Sequence, residues 1–324
     1  DSKIALVERD PVFGGTCLNR GCIPSKMLVL PADVALDAAD SSRLGIATSF
    51  DGADWPAICD RVFGRIDEIS QSGRRYRATG TPNLTLLEGT ARFTGARRLD
   101  VTMNAGGVRT IEADQVLIAV GSRPVVPDLP GLAEAGFHTS DTIMRLEHFP
   151  TRLGIIGGGY IAAEMGHVFS ALGSQVTLYN RSHTLLRDHD HDVAATFTHA
   201  FGERVDLRLG RVPERVGRRA DGIVLHDPDG TEVVVDELLV ATGRRPNSDL
   251  VDAAAAGIDV DDGGTIVVDE HLRTNVAGVW AAGDVANRWQ LKHVANAEGR
   301  AAFWNIAHAD TPDEWHPVDH SAVP

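Results

Sequence analysis

The sequence has 324 residues, with 45 acidic and 31 basic side chains and a formal charge of −14. At about 150 residues per domain that is room for two domains; the 43% apolar fraction is globular, and no apolar run approaches the roughly 18 residues of a membrane span. The acidic balance argues against a nucleic-acid binder, because a negative surface repels phosphate and gains nothing from counterion release. Three cysteines are too few for a disulfide-stapled secreted scaffold. The 33 glycines, roughly 10% against a usual ~7%, are clustered, which points to close backbone approach to a ligand.

The chain begins at Asp1 rather than Met, and Lys3 to Val7 is an apolar run ending in Glu8, read as a parallel strand covered on both faces. No charged segment followed by an apolar stretch marks a signal peptide. Helical spacing runs from Pro24 to about Asp37, and a second amphipathic helix runs from an N-cap at Asp54 to about Gly73. Short alternating strands follow between Asn83 and Val120, then strand, glycine turn and helix over 153–173, the strand Gln175 to Tyr179, and a second alternating stretch from Gly222 to Val240. Val116 to Pro124 aligns with Leu238 to Pro246 at five positions of nine. The two halves are therefore related, with a boundary near Phe149-Pro150-Thr151.

Gly157-Gly158-Gly159-Tyr160-Ile161-Ala162 is G-x-G-x-x-A between a strand and a helix. The first glycine allows the tight turn, the second lets a pyrophosphate reach the backbone, and small Ala162 lets helix and strand pack; the helix start then offers its amides to phosphate. At the end of the next strand an NAD site places an acid for the ribose. Here stand Tyr179-Asn180-Arg181, with Arg187 following, so NADPH is favoured over NAD. Glu8 occupies the corresponding ribose position of a second site, but only seven residues precede it, so either it is an ordinary surface residue or the chain lacks that site's glycine loop.

Cys17 and Cys22 lie in Gly14-Gly15-Thr16-Cys17-Leu18-Asn19-Arg20-Gly21-Cys22-Ile23-Pro24-Ser25-Lys26. A structural zinc needs four ligands, and the only other thiol, Cys59, falls in an amphipathic helix as a small core residue. The pair suits redox chemistry. Pro24 as first helical residue would set Cys22 against the helix N-terminus, where the dipole favours thiolate, and Cys17, further out, would meet substrate.

This stretch resembles the redox disulfide of the pyridine nucleotide-disulfide oxidoreductases, the flavoenzyme family of glutathione reductase, lipoamide dehydrogenase and mercuric reductase. The resemblance covers essentially the whole chain and ends in Gly278-Val279-Trp280-Ala281-Ala282-Gly283-Asp284 and Leu291 to Ala295. It implies an α/β fold of two related Rossmann-like, three-layer ββα dinucleotide-binding domains. Residues 1–149 would be the first FAD segment without its first strand and glycine loop, 150–270 the NAD(P) domain, 271–312 the return to the FAD domain, and 313–324 the start of an otherwise missing dimerisation domain. It implies FAD contacts at Glu8, Gly15, Thr16, Lys26, Gly121, Asp284, His293 and Ala295, and NADPH contacts at Gly157, Gly159, Ala162, Arg181, Arg187 and Gly243. Cys17, Cys22, Lys26 and Glu164 would be catalytic, the last two paired; taken by themselves, Lys26 and Glu164 are ordinary helix charges.

The runs Arg61 to Asp67, His138 to Arg145 and Leu291 to Asn296 look most like one NADPH-dependent branch acting on a low-molecular-weight disulfide. Arg20 departs from the small apolar residue common in the cysteine loop. The resemblance further implies a cytoplasmic homodimer with no nucleic-acid or membrane partner. Its alternatives are another member, such as lipoamide dehydrogenase or mercuric reductase, or a fragment that binds nucleotide without turning over. His316-Pro317 imitates the family's proton-donating His-Pro pair, but Ser321 stands where its glutamate belongs. Asp188 to Asp192, with its alternating Asp and His, reads as a polar loop entering a helix rather than a metal site.

Overall fold

A computed structural model of the chain describes residues 2–321 and 323. The backbone forms two compact units: one comprises Asp1–Phe13, Gln71–Arg123 and Arg244–Pro324, the other Gly14–Ser70 and Pro124–Gly243. These units are divided at other points than the boundaries at 149/150, 270/271 and 312/313 read from the sequence. The cysteine segment and the helix after it cluster with the G-x-G-x-x-A strand.

In that second unit a four-stranded parallel sheet runs Glu237–Val240, Arg152–Ile156, Gln175–Asn180, Asp206–Leu209. Arg152–Ile156 lies at an interior position and is buried over its last four residues, as a near-continuous apolar strand must be. One face carries the helices Tyr160–Ala171 and Cys22–Asp40, packed through Leu28, Leu153, Ile155, Val168 and Phe169, none of which is exposed. Full burial of each such side chain is worth roughly 1.5–3 kcal/mol in transfer free energy. The other face meets the antiparallel sheet Arg215–Arg219, Gly222–His226, Glu232–Val235 through Tyr179, Ile223, Leu225 and Leu238. This is the expected three-layer ββα arrangement. Asp54 caps the helix Trp55–Thr79 by accepting from Ala57 N at 3.0 Å.

In the first unit, Ile4–Glu8 pairs in parallel with Leu84–Glu88, and the strand Leu84–Gly95 continues into an antiparallel meander with Arg98–Met103 and Val108–Glu112. Val116–Ile118 pairs with Val279–Ala281, and the core is built on Phe93, Ile118, Val251, Ile266 and Val285. The opening strand is parallel as predicted but not covered on both faces: it lies at the edge of its sheet, with Ile4 45% exposed. An apolar run records that a strand can be buried, not that this chain supplies both covering layers.

Two exposed acids tie loops to nearby arginines. Asp249 accepts from both terminal nitrogens of Arg123 at 2.8 and 2.7 Å, and these bonds lower its pKa to about 2. Asp229 is lowered to about 2 by Thr231 N and hydroxyl and then by Arg211. A depressed carboxylate stabilises the fold above its unfolded value near ~3.9 and loses that contribution as the pH falls through the folded value. Urea midpoints are therefore expected to drop between about pH 4 and pH 2, by a modest amount because these groups are solvent-screened. Asp249→Asn should flatten that slope, and an unchanged slope in the variant would contradict the assignment.

Candidate functional site

The unit holding the parallel sheet contains both chemical motifs. Ile156 ends its strand, Gly157 N donates to Tyr179 O at 2.9 Å, and the helix begins at Tyr160 behind Gly159. Gly157 has φ +138°, and a Cβ there would stand 2.1 Å from Ala241 O. This is the tight turn anticipated for the first glycine. A Cβ on Gly158 would strike the Asn180 side chain at 2.4 Å, whereas one on Gly159 would meet nothing within 4 Å. Ala162 is fully buried. The turn is thus tight behind and open at the helix mouth, the form a pyrophosphate fits. Gly157→Ala is expected to weaken binding of a nicotinamide dinucleotide at least about tenfold and to lower thermal stability, because it combines a left-handed φ with a backbone clash. Isothermal titration and a melt check both, and wild-type affinity would contradict the reading.

At the strand's end Asn180 is buried, and its Nδ2 donates to Ser182 O at 3.2 Å and Thr184 O at 2.8 Å. Leu186 N donates to Gly158 O at 2.8 Å, folding residues 181–187 back onto the glycine turn. Arg181 and Arg187 both remain exposed. Arg211, whose amide donates to Asn180 O, has its guanidinium committed to Asp227 and Asp229 at 3.3 and 2.8 Å. Asn180 as the organiser of this loop was missed from sequence, where it counted only as the missing acid. The Asp188 to Asp192 run leads into the helix His191–Gly202, with Asp190 accepting from Asp192 N and Val193 N as its N-cap.

Cys17 and Cys22 form a disulfide, with Cα atoms 4.9 Å apart. Cys17 lies in the short helix Gly15–Asn19, while Cys22 is the first residue of Cys22–Asp40. The long helix therefore starts two residues before Pro24, placing Cys22 itself at the N-terminus. Cys22 is exposed and Cys17 half-buried, because the turn at Gly21 folds back on Thr16 and Cys17 while the first helical turn points Cys22 outward. Burial, with Asp60 adding to it, raises the third thiol, Cys59, to about 11, which leaves it protonated and inert at neutral pH.

The two motifs meet through their helices. Cys22–Asp40 packs along Tyr160–Ala171, Lys26 Nζ pairs with Glu164 Oε1, and His167 Nε2 bonds Asp33 Oδ1 at 2.8 Å. The segment implied to bind flavin is divided: Gly15, Thr16 and Lys26 belong to this unit, and Glu8, Gly121, Asp284, His293 and Ala295 to the other. In the latter, Glu8 accepts from Asp10 N at 2.9 Å. Gly121 has φ +66° with nothing within 4 Å of a built Cβ. His293 is exposed and Ala295 half-buried on the helix Lys292–Ala307. Asp284 accepts from Ser122 Oγ at 2.8 Å, and Ser122 Oγ in turn accepts from Arg244 Nε at 2.9 Å. The two members of the repeated A-x-G motif therefore brace the aspartate, a tie the alignment did not predict. Gly243, in the other unit, has φ +127° with open space beside it. His316 stacks on Trp304 at 4.8 Å, and its amide donates to Asn305 Oδ1.

The profile of the pyridine nucleotide-disulphide oxidoreductase family matches residues 1–299, and the chain belongs to that family. It is 44% identical over 330 residues to mycothione reductase of Mycobacterium tuberculosis, covering 100% of this chain and 70% of that protein. It is 36% identical to mercuric reductase of Shigella flexneri, over 95% of this chain and 55% of that one. Among solved structures it matches the HOCl-induced flavoprotein disulfide reductase RclA from Escherichia coli at 28% identity and TM-score 0.83, covering 98% of this chain and 67% of that one. No helix among the described residues is long and apolar enough to cross a membrane.

Proposed function

We propose that this chain carries the redox core of a cytoplasmic, homodimeric, NADPH- and FAD-dependent reductase of a low-molecular-weight disulfide, with mycothione as substrate. The observation that carries the reading is the packing of the disulfide helix against the fingerprint helix within one unit, joined by Lys26 and Glu164. The 44% identity to mycothione reductase over the whole chain supports the substrate, as do the runs Arg61 to Asp67, His138 to Arg145 and Leu291 to Asn296 that resemble it.

Gly157 to Ala162 would cradle the NADPH pyrophosphate, Arg181 and Arg187 would take its 2′-phosphate, and Gly243 would line its path. The open backbone at Gly159 fits that role. Asp284, held by Ser122, has the acceptor chemistry to bind flavin hydroxyls, with Glu8, Gly15, Thr16, Gly121, His293 and Ala295 as further contacts. Bound FAD would pass two electrons from NADPH to the protein disulfide.

Reduction with uptake of protons opens Cys17–Cys22 to a dithiol. The Cys22 sulfur is held as thiolate by the helix N-terminus, and Lys26, tied to Glu164, adds a positive charge one helical turn further on. Cys17 thiolate then attacks the substrate disulfide, forming a mixed disulfide and expelling one thiolate, which takes a proton. Cys22 attacks the Cys17 sulfur, releases the second thiol and restores the protein disulfide.

Initial rates of the intact protein with NADPH or NADH on mycothione, glutathione disulfide, lipoamide and Hg(II) test this. Mycothione with NADPH is expected to give the highest kcat/KM. Preference for lipoamide with NADH, or for Hg(II), would replace the substrate assignment.

A further inference from the structure

Behind Asp284 lies a buried acid that the mechanism above does not use. Glu298, on the helix Lys292–Ala307, is 1% exposed. Its Oε2 accepts from Gly283 N at 2.6 Å and from Asn287 Nδ2 at 2.9 Å, and its Oε1 bonds His320 Nε2 at 3.0 Å. Asn287 is itself buried, and its Oδ1 accepts from Trp289 N and Gln290 N, each at 3.0 Å. The His320 ring rests on Trp289 with centroids 4.3 Å apart. One carboxylate thus gathers the residue before Asp284, the end of its turn and the following loop.

A buried carboxylate is costly unless its oxygens are paired, and here Oε2 is paired by donors from the Asp284 turn and the residues just after it, with His320 on Oε1. Gly283 adopts φ +78° and opens the short 3-10 turn Gly283–Val285. Its amide points back to Glu298, while the Asp284 carboxylate next to it points to Ser122. Two independent anchors therefore fix the backbone that presents Asp284, one from Glu298 and one through Ser122.

We propose that Glu298 is a positioning residue for flavin binding, acting only through the Gly283–Asn287 turn and Asp284; this rests on the reading that Asp284 holds FAD. Leucine at 298 fills the space but leaves the Gly283 amide and the Asn287 amide unpaired. Glutamine keeps a carbonyl acceptor for both, so Glu298→Gln is the conservative rescue.

The test is FAD affinity of the apo form of the intact protein, by flavin fluorescence titration, with the flavin visible circular dichroism as a second readout. Glu298→Leu is expected to weaken FAD about 10- to 100-fold, the range of a lost charged hydrogen bond, with Glu298→Gln within about threefold of wild type. Asn287→Ala, a milder cut at the other end of the bond, should weaken FAD in the same direction and provides the measurement should Glu298→Leu fail to fold. The double variant Asp284→Ala with Glu298→Leu should bind no more weakly than Asp284→Ala alone. NADPH affinity should stay at the wild-type value in all of them. Wild-type FAD affinity in Glu298→Leu or Asn287→Ala, or additive losses in the double variant, would overturn the positioning role. If Asp284→Ala itself binds FAD normally, the flavin reading of Asp284 fails and the role of Glu298 falls with it, a result the single Asp284 variant separates from the others.

Discussion

Serine at either position 17 or position 22 is expected to lower NADPH-dependent disulfide reduction by about three orders of magnitude or more, since residues acting as one unit fail together. The two variants should fail differently. Once reduced, Cys22 opens the 19-residue helix, where the helix dipole favours a thiolate that leaves readily, and Cys17, off that helix, is the expected attacker. With Cys22→Ser, pre-reduced protein should attack the substrate through Cys17 and stop there, because no second thiol resolves the mixed disulfide. Intact-mass spectrometry should find one substrate thiol per chain, removable by dithiothreitol. With Cys17→Ser the same treatment should label slowly. The exposure of Cys22 makes this pair of variants decisive. If accessibility rather than sulfur chemistry chose the attacker, the pattern would reverse, with rapid labelling at Cys22, and the roles of the two cysteines would have to be exchanged. Cys59, held protonated near neutral pH, should stay unlabelled in both.

What the sequence made legible was local. The glycine turn is legible because φ +138° and a 2.1 Å backbone approach leave only glycine at position 157. The cysteine spacing is legible because a helix N-terminus and a separation of five positions fix where the sulfurs fall, and Ala162 because helix and strand touch there. What stayed hidden depends on partners far along the chain. Glu298 looks like any polar helix residue until Gly283, Asn287 and His320 are brought around it. Ser122 and Asp284 are 162 positions apart. The opening strand read as covered on both faces because hydropathy measures only what a residue tolerates, and the relative exposure of the two cysteines followed from a fold-back at Gly21 that spacing does not encode. Lys26 and Glu164, 138 positions apart, were paired only through family resemblance; their own sequence neighbourhoods carry no sign of it.

The second large effect is expected at the cofactor end. Arg181→Ala combined with Arg187→Ala should raise KM for NADPH by about two orders of magnitude, because each cation facing a 2′-phosphate supplies a charged hydrogen bond worth roughly 1.5–3 kcal/mol and neighbouring contributions are not fully additive. KM for NADH should change less than about threefold, since that cofactor offers no phosphate there, and kcat should hold because the adenosine end is remote from the chemistry. The loop geometry adds a third arm. Asn180 shapes residues 181–187 by donating to Ser182 O and Thr184 O, and Asn180→Asp removes both donations while placing a carboxylate at the strand end where NAD sites carry one. Repulsion from a phosphate and loss of loop support act together against NADPH, whereas a ribose hydroxyl gains an acceptor. Asn180→Asp should therefore raise KM for NADPH about tenfold and leave KM for NADH unchanged or lower. Steady-state kinetics with both cofactors decide the matter: parallel losses on NADPH and NADH in the double arginine variant would mean that Arg181 and Arg187 support the loop rather than bind the 2′-phosphate.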